Sequence, residues 1–445
     1  MNRELAIRTA KTEIPNTEKQ QNQKIERLMT GIAMQSLFLT NSAFRLVFRQ
    51  HYYGAICLKT QSVTLFSEQE RRTKRMTKLE IVDDPNETRR IDKSNMLSFC
   101  VEAPKHYAQA AKLAKTLPVN YPKPNTIVVA GMGGSGIGGE LLKDWTRDRI
   151  TVPIEVCKEY SLPAYAHKNT LVFVVSYSGE TEETLSVFRD AIKRKCMIIC
   201  ISSGGNLHEF AEKLGFPHLL VPSGMAPRAT LPYLFMPLIT TLEKMGLVSG
   251  VDEEVSETTK VLEQVSADNS PEKPLSRNFS KKLAENINGT VPAVYGFGFH
   301  RTVAQRLKTQ FNENSKNPAK WEVFPELNHN EIVGWEEAKE FAEWFSVIFV
   351  RDAEEPAEIR KRIEATKELM NRQIKKLFEV HSRGTSRLAK MASVICTGDF
   401  TSVYLAILRG IDPTPVKTIA LLKDELKQGG AKEKVLRELQ SLAVK

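Results

Sequence analysis

No apolar run in this 445-residue chain approaches 18 residues, so no segment reads as membrane-spanning. Cysteine is scarce. The six, at 57, 100, 157, 196, 200 and 396, are scattered and sit mostly in apolar runs. Cys196 and Cys200 share the stretch KCMIICIS, where neither disulfide nor zinc spacing is evident, so buried reduced thiols and a cytoplasmic location are expected. An Arg/Lys stripe interleaved with aromatics is also missing, which argues against nucleic acid as a partner. The net charge of +10 is modest for this length, and much of it lies in the first 75 residues. That balance suits a small anionic substrate. At 41% hydrophobic and 26% charged, the composition is that of an ordinary globular protein long enough to bury two cores.

What the chain does have is a concentration of glycine and hydroxyls between residues 126 and 183. TIVVAGMGGSGIGGELL is followed downstream by LVFVVSYSGETEETL. Each is a short apolar run, then a loop of Gly, Ser and Thr, then a helical pattern. Continuous Val/Ile runs of this kind read as buried parallel strands, and ligands of such sheets lie beyond the strands' carboxyl ends. Ile127–Ala130 and Leu171–Val175 are therefore expected to be neighbours that empty into one crevice. The first loop would offer the backbone N–H groups of Gly131, Gly133, Gly134 and Gly136. The second would offer the hydroxyls of Ser176, Ser178 and Thr181. Helix N-termini follow both, so the crevice reads as a phosphate site. Six glycines between 131 and 139 rarely serve packing alone.

Gly131-x-Gly133-x-x-Gly136 also matches the dinucleotide fingerprint, and Glu155 falls about 20 residues further on. The spacing alone is weak. Ser135 and the hydroxyls of the second loop enrich the crevice beyond what a cofactor-only site needs, and no hydride-transfer constellation follows.

In order, residues 1–75 are unlike the rest. They are polar at first and then patchily apolar, and they read as an N-terminal extension or a start-site artefact. MTKLEIVDDPNETRRIDKSNM, from Met76, reads as a domain start. Asp92 to Leu117 is an amphipathic helix broken near Pro104. Strands and helices then alternate to Met245, giving a first unit over 76–245. Residues 246–285 are polar, with one helical stretch, and read as a connection. The unit 286–445 repeats the grammar. VPAVYGFGF is a strand, HRTVAQRLKTQFNENSK a helix, KWEVF a strand before an Asn/His-rich loop, and FSVIFVRD a strand. Glu358–Val380 follows as one long helix, ASVICTGDFTSVYLAILRG as a short strand and a helix, and DPTPVKTIALLKDEL as a capped helix. The fold class is α/β, with two tandem units, each a mostly parallel doubly wound sheet flanked by helices.

AGMGGSGIGG, SYSGETEETL and ISSGG together resemble the sugar isomerase (SIS) domain family. Downstream, PSGMAPRATLPYLF, QFNENSKNPA, ELNHNEIVGW and DPTPVKTIALLK resemble the bifunctional phosphoglucose/phosphomannose isomerases of archaea and some bacteria. The resemblance covers about residues 76–445. It implies two flavodoxin-like SIS subdomains and a homodimer with sites near the subunit interface. It also implies interconversion of glucose 6-phosphate or mannose 6-phosphate with fructose 6-phosphate, without cofactor or metal. It assigns phosphate binding to Gly133, Gly134, Ser135, Ser176, Ser178 and Thr181. The catalytic glutamate matches Glu313 in NENSK, and the ring-opening histidine matches His329 in ELNHNE. A positive side chain near the C-terminus matches Lys423 in ALLK, with Lys417 as its rival less than two turns away. An arginine matches Arg228 in APR.

The chemistry asks for the same residue types. Aldose–ketose isomerisation moves a proton between C1 and C2 through a cis-enediol, and one carboxylate over that face can take and return it; Glu313 is the candidate. A closed ring must open, and a histidine can shuttle that proton, as His329 would. Developing oxyanion charge needs a fixed cation, which Arg228 would supply. Each has a plainer reading. Glu322, Glu326 and Glu331 lie close enough to compete for the base role, His208 and His300 also flank loops, and Arg228 could cap a helix or pair with an acid. Selectivity at C2 points to Thr414 and its loop. Three other functions remain to be weighed. A non-catalytic SIS regulator would normally carry a helix-turn-helix, which residues 1–75 do not convincingly show. A glucosamine-phosphate synthase would need an N-terminal glutaminase, and a dinucleotide-dependent enzyme would quench NADH fluorescence.

Overall fold

The computed structural model describes residues 81–374 and 376–444. Contacts divide the chain into residues 1–75 and 76–445. The expected extension over 1–75 lies outside the described residues.

The Val/Ile runs of the first half become a five-stranded sheet. Strands β1 (Thr126–Ala130), β2 (Ile154–Cys157), β3 (Thr170–Val175), β4 (Met197–Ser202) and β5 (His218–Leu220) lie in the order β2-β1-β3-β4-β5. All pairings are parallel. This is the flavodoxin-like order, with its switch point between β1 and β3. The expected adjacency of these two strands holds, in register from Thr126 opposite Thr170 to Ala130 opposite Val174. Both therefore release their chains at one edge. Every residue of β3 and β4 is buried, as it must be when helices cover both faces.

The second sheet repeats the order with four parallel strands, β7-β6-β8-β9. These are β6 (Val291–Phe297), β7 (Lys320–Phe324), β8 (Phe345–Arg351) and β9 (Leu377–His381). Two segments differ from the sequence reading. The long helix expected over Glu358–Val380 stops at Met370, and its last part is strand β9. LFEVH takes the open edge of β8, where sheet hydrogen bonds replace the helical ones. The short strand expected in ASVICTGDF is instead the interior of a helix, Arg387–Leu408, enclosed by neighbours. A segment buried on all sides loses its polar face, and periodicity then cannot separate strand from helix. By length and composition alone this helix could cross a membrane, but 94% of its apolar window is buried inside the protein.

The segment 246–285, expected to hold one helical stretch, holds the helix Val251–Asn269 and most of a second, Phe279–Ile287, because Leu262, Val265 and Ile287 are fully buried against the core. One apolar cluster runs from Ile127 and Phe173 through Leu262 and Phe400 to Val294 and Ile348, so the two sheets share a core. The chain ends on helices Lys417–Lys427 and Ala431–Ala443. The last one returns to the first half. Val435 and Leu439 pack with Leu185 and Phe188, and Lys432 pairs with Glu180 beside the hydroxyl loop. The five described cysteines are buried free thiols.

Candidate active site

At the carboxyl end of β1 the chain turns through Gly131–Gly136 into the helix Gly134–Thr146. Gly133 makes this turn with φ 53° and ψ −123°, a backbone conformation that a Cβ would strain. Of the four glycine amides expected to be open, two are engaged. Gly131 donates to Cys157 O at 3.3 Å, and Gly136 to Gly133 O at 3.1 Å. Among the described residues, only the amides of Gly133 and Gly134 remain without an acceptor in this turn's glycine set. They sit at the positive end of the helix dipole, where an anion is favoured.

The β3 loop lies alongside. Ser135 Oγ accepts from Tyr177 N at 3.0 Å and so ties the two turns together. Ser176 is fully buried, its Oγ 2.9 Å from Thr181 Oγ1. Ser178 is exposed, its Oγ accepting from Glu180 N at 3.2 Å. Thr181 precedes the helix Glu182–Lys193 with an uncapped N-terminus. Two glycine amides, three hydroxyls and two helix starts thus converge at one sheet edge. The dinucleotide alternative fares worse. Glu155 lies two residues short of β2's end, and Lys143 is its ion partner.

The turn Pro227–Ala229 joins this edge to the second half. Gly134 presses against Pro227–Arg228, so that a Cβ there would meet Pro227 O at 2.9 Å. Arg228 is only 3% exposed. Its Nε donates to Asn314 Oδ1, and its Nη2 donates to Pro413 O at 2.7 Å and Thr414 O at 3.0 Å. Its Nη1 lies 3.7 Å from Glu313 Oε2, and the Glu313 side chain is 29% exposed. Arg306 backs the turn, donating to Arg228 O at 3.0 Å and to Asp399, whose carboxyl burial pushes upward. Most of the Arg228 donors are therefore committed to the protein. One face of the guanidinium is left for Glu313.

The expected residues separate into two groups. Gly133, Gly134, Ser135, Ser176, Ser178 and Thr181 form the turn cluster, and Arg228 with Glu313 adjoins it. His329 and Lys423 do not. His329 ends an exposed turn after β7, and Lys423 lies on the helix Lys417–Lys427, none of whose residues is buried; Lys417 begins the same helix. The competing groups are held elsewhere. Glu331 accepts from Tyr295 at 2.7 Å and Lys320 at 2.6 Å, and Glu326 from Asn330 at 2.9 Å. His300 is fully buried facing Asp352, and His208 packs on His218. Thr414 Oγ1 is buried with no partner among the described residues. Sequence reasoning passed over Asn314 and Lys316, although both sit in NENSK beside Glu313. Among the described residues no three His, Cys, Asp or Glu side chains are placed to hold a metal.

Comparison with known proteins extends these observations. Residues 276–426 match the family model "Bacterial phospho-glucose isomerase C-terminal SIS domain". The chain is 42% identical over 334 residues to the bifunctional phosphoglucose/phosphomannose isomerase of Caldicellulosiruptor bescii, covering 74% of this chain and 98% of that one. It is 36% identical to the Aquifex aeolicus protein of the same name, covering 68% of this chain and 90% of that one. In fold it is similar to a glucose-6-phosphate isomerase like protein from Thermus thermophilus, with a TM-score of 0.50 and 18% identity over 75% of this chain and 98% of that one. The chain belongs to the family of bifunctional phosphoglucose/phosphomannose isomerases, enzymes of the isomerase class.

Proposed function

We propose that the protein interconverts glucose 6-phosphate and mannose 6-phosphate with fructose 6-phosphate through a cis-enediol. The observation that carries this reading is the three-residue turn Pro227–Ala229, which rests on Gly134 and brings Arg228 to Glu313. An anion-binding edge and a carboxylate thus meet through one side chain. The Gly133–Ser135 turn with Ser176, Ser178 and Thr181 holds the phosphate and so fixes the sugar's orientation. Glu313 carries the proton between C1 and C2, and Nη1 of Arg228, which faces Glu313, stabilises the charge that develops on the carbonyl oxygen. Carbonyl acceptors already orient the guanidinium, so little reorganisation is needed at the moment of reaction.

His329 opens the ring and Lys423 supplies a second cation, each reaching the site in a homodimer. Their exposure, and that of Val333, Phe341, Trp344, Leu421 and Leu422 near them in sequence, supports such an assembly. Thr414 and its loop respond to the C2 epimer in this reading, which the unpartnered Thr414 hydroxyl beside the Arg228 contact supports. A coupled assay offering glucose 6-phosphate and mannose 6-phosphate separately, with EDTA present, tests the proposal. Turnover of both is expected. Turnover of neither would end it.

A further inference from the structure

The helix Arg301–Glu313 ends on the proposed base, and the way it ends is unusual. Helices leave their last carbonyls without partners, and the common closure places a glycine in the left-handed conformation just beyond. Here the left-handed residue is Lys316, with φ 50°. A Cβ in that region is strained, and such positions persist where the surroundings gain from the side chain. Its amine reaches back to Glu313 O at 2.9 Å and Asn314 O at 3.3 Å. It also reaches across to Asp412 O at 3.1 Å and Pro413 O at 2.7 Å.

We propose that Lys316 is a positioning residue for this isomerisation, a clamp that joins the end of the Glu313 helix to the 412–414 loop. The inference rests on the reading of Glu313 as the base. Four carbonyl oxygens converge on an ammonium with three N–H donors, so every donor of the cation is engaged. Arg228 donates to the same Pro413 O and to Thr414 O. Two cations therefore grip one loop, and that loop carries the unpartnered Thr414 hydroxyl.

The charged groups facing Lys316 are Arg228 on the 227–229 turn, Glu313 on its own helix and Asp412 on the loop. Burial first, and Arg228 second, push the Lys316 amine down to about 8, against the pull of Asp412 and Glu313. The clamp is thus cationic at neutral pH. It loses a donor as pH rises through about 8, when two N–H groups must serve four acceptors.

The test uses K316G, K316M and K316R in the full chain, assayed with fructose 6-phosphate. K316G removes the backbone strain together with the clamp, so strain relief offsets part of the lost hydrogen bonding and the thermal midpoint should fall by only a few degrees, while kcat falls by roughly 10²-fold, the scale set by misplacing a reacting group. KM should change little, because the phosphate turns are untouched. The wild-type kcat should decline as pH passes about 8, whereas K316R, which stays charged, should keep its kcat to about pH 9 or beyond. If K316G fails to fold, the K316R pH profile still decides. Wild-type kcat in K316G and K316M, or the same alkaline decline in K316R, would overturn the proposal. An active wild type with indifferent Lys316 variants refutes this inference alone; an inactive wild type refutes the functional reading as well.

Discussion

Gly134→Ala tests the contact through which the two halves of the site meet. The added Cβ would lie 2.9 Å from Pro227 O, 3.2 Å from its carbonyl carbon and 3.4 Å from Arg228 N. Ordinary carbon–oxygen contacts are longer, so the Pro227–Ala229 turn must retreat by about half an ångström. Gly134 is the first residue of its helix and not among the positive-φ residues, so the backbone accepts alanine. Alanine's helix preference offsets up to about 1 kcal/mol, while overpacking costs about 1–3 kcal/mol. The net loss is about 2 kcal/mol or less, a fall in Tm of a few degrees. Activity should suffer more. Moving the Arg228 guanidinium relative to Glu313, from which it now stands 3.7 Å away, should lower kcat by about tenfold, given that a 1 Å error can cost about 10²-fold. Steady-state isomerisation and calorimetry on the same preparations separate the two effects. A variant with wild-type kcat and wild-type Tm would show that this contact does not shape the site.

Other perturbations have defined outcomes. Arg228→Met leaves Asn314 Oδ1 and the Thr414 carbonyl without their buried donor, while Pro413 O keeps Lys316, and should cost about 2–5 kcal/mol in urea unfolding; a loss below about 1 kcal/mol would contradict the burial argument. Burial, with His208 beside it, pushes His218 down to about 4 from 6.5. The unfolded chain therefore binds more protons between those values, and stability falls as pH drops through that window. His218→Gln should flatten the decline between pH 6.5 and about 4; an unchanged slope would assign it to other groups.

The phosphate edge was legible because its determinants are local. β1 and β3 are buried on both faces and read as unbroken apolar runs, and the glycine and hydroxyl loops follow them directly. The meeting of Arg228 with Glu313 was not legible, since it depends on a core shared by two sheets rather than on any spacing. The resemblance supplied the two residues, and the fold supplied their contact. Lys316 escaped notice because a lysine in a left-handed helix terminus leaves no mark in composition or period. The Arg387–Leu408 helix was split in the reading because burial on all sides erased its amphipathic face. β9 was absorbed into a helix because its edge pairing with β8 is tertiary. Two of the four glycine amides expected to be open proved engaged, a consequence of how tightly the turn folds on itself.

The central claim is that Glu313 moves the proton between C1 and C2 of a sugar anchored by its phosphate. Fructose 6-phosphate incubated in D₂O with the wild type and with Glu313→Gln tests it, with NMR following deuterium at C1. The wild type should incorporate solvent deuterium, while Glu313→Gln should still bind the sugar phosphate yet leave C1 unexchanged. Exchange at the wild-type rate in Glu313→Gln would contradict the account.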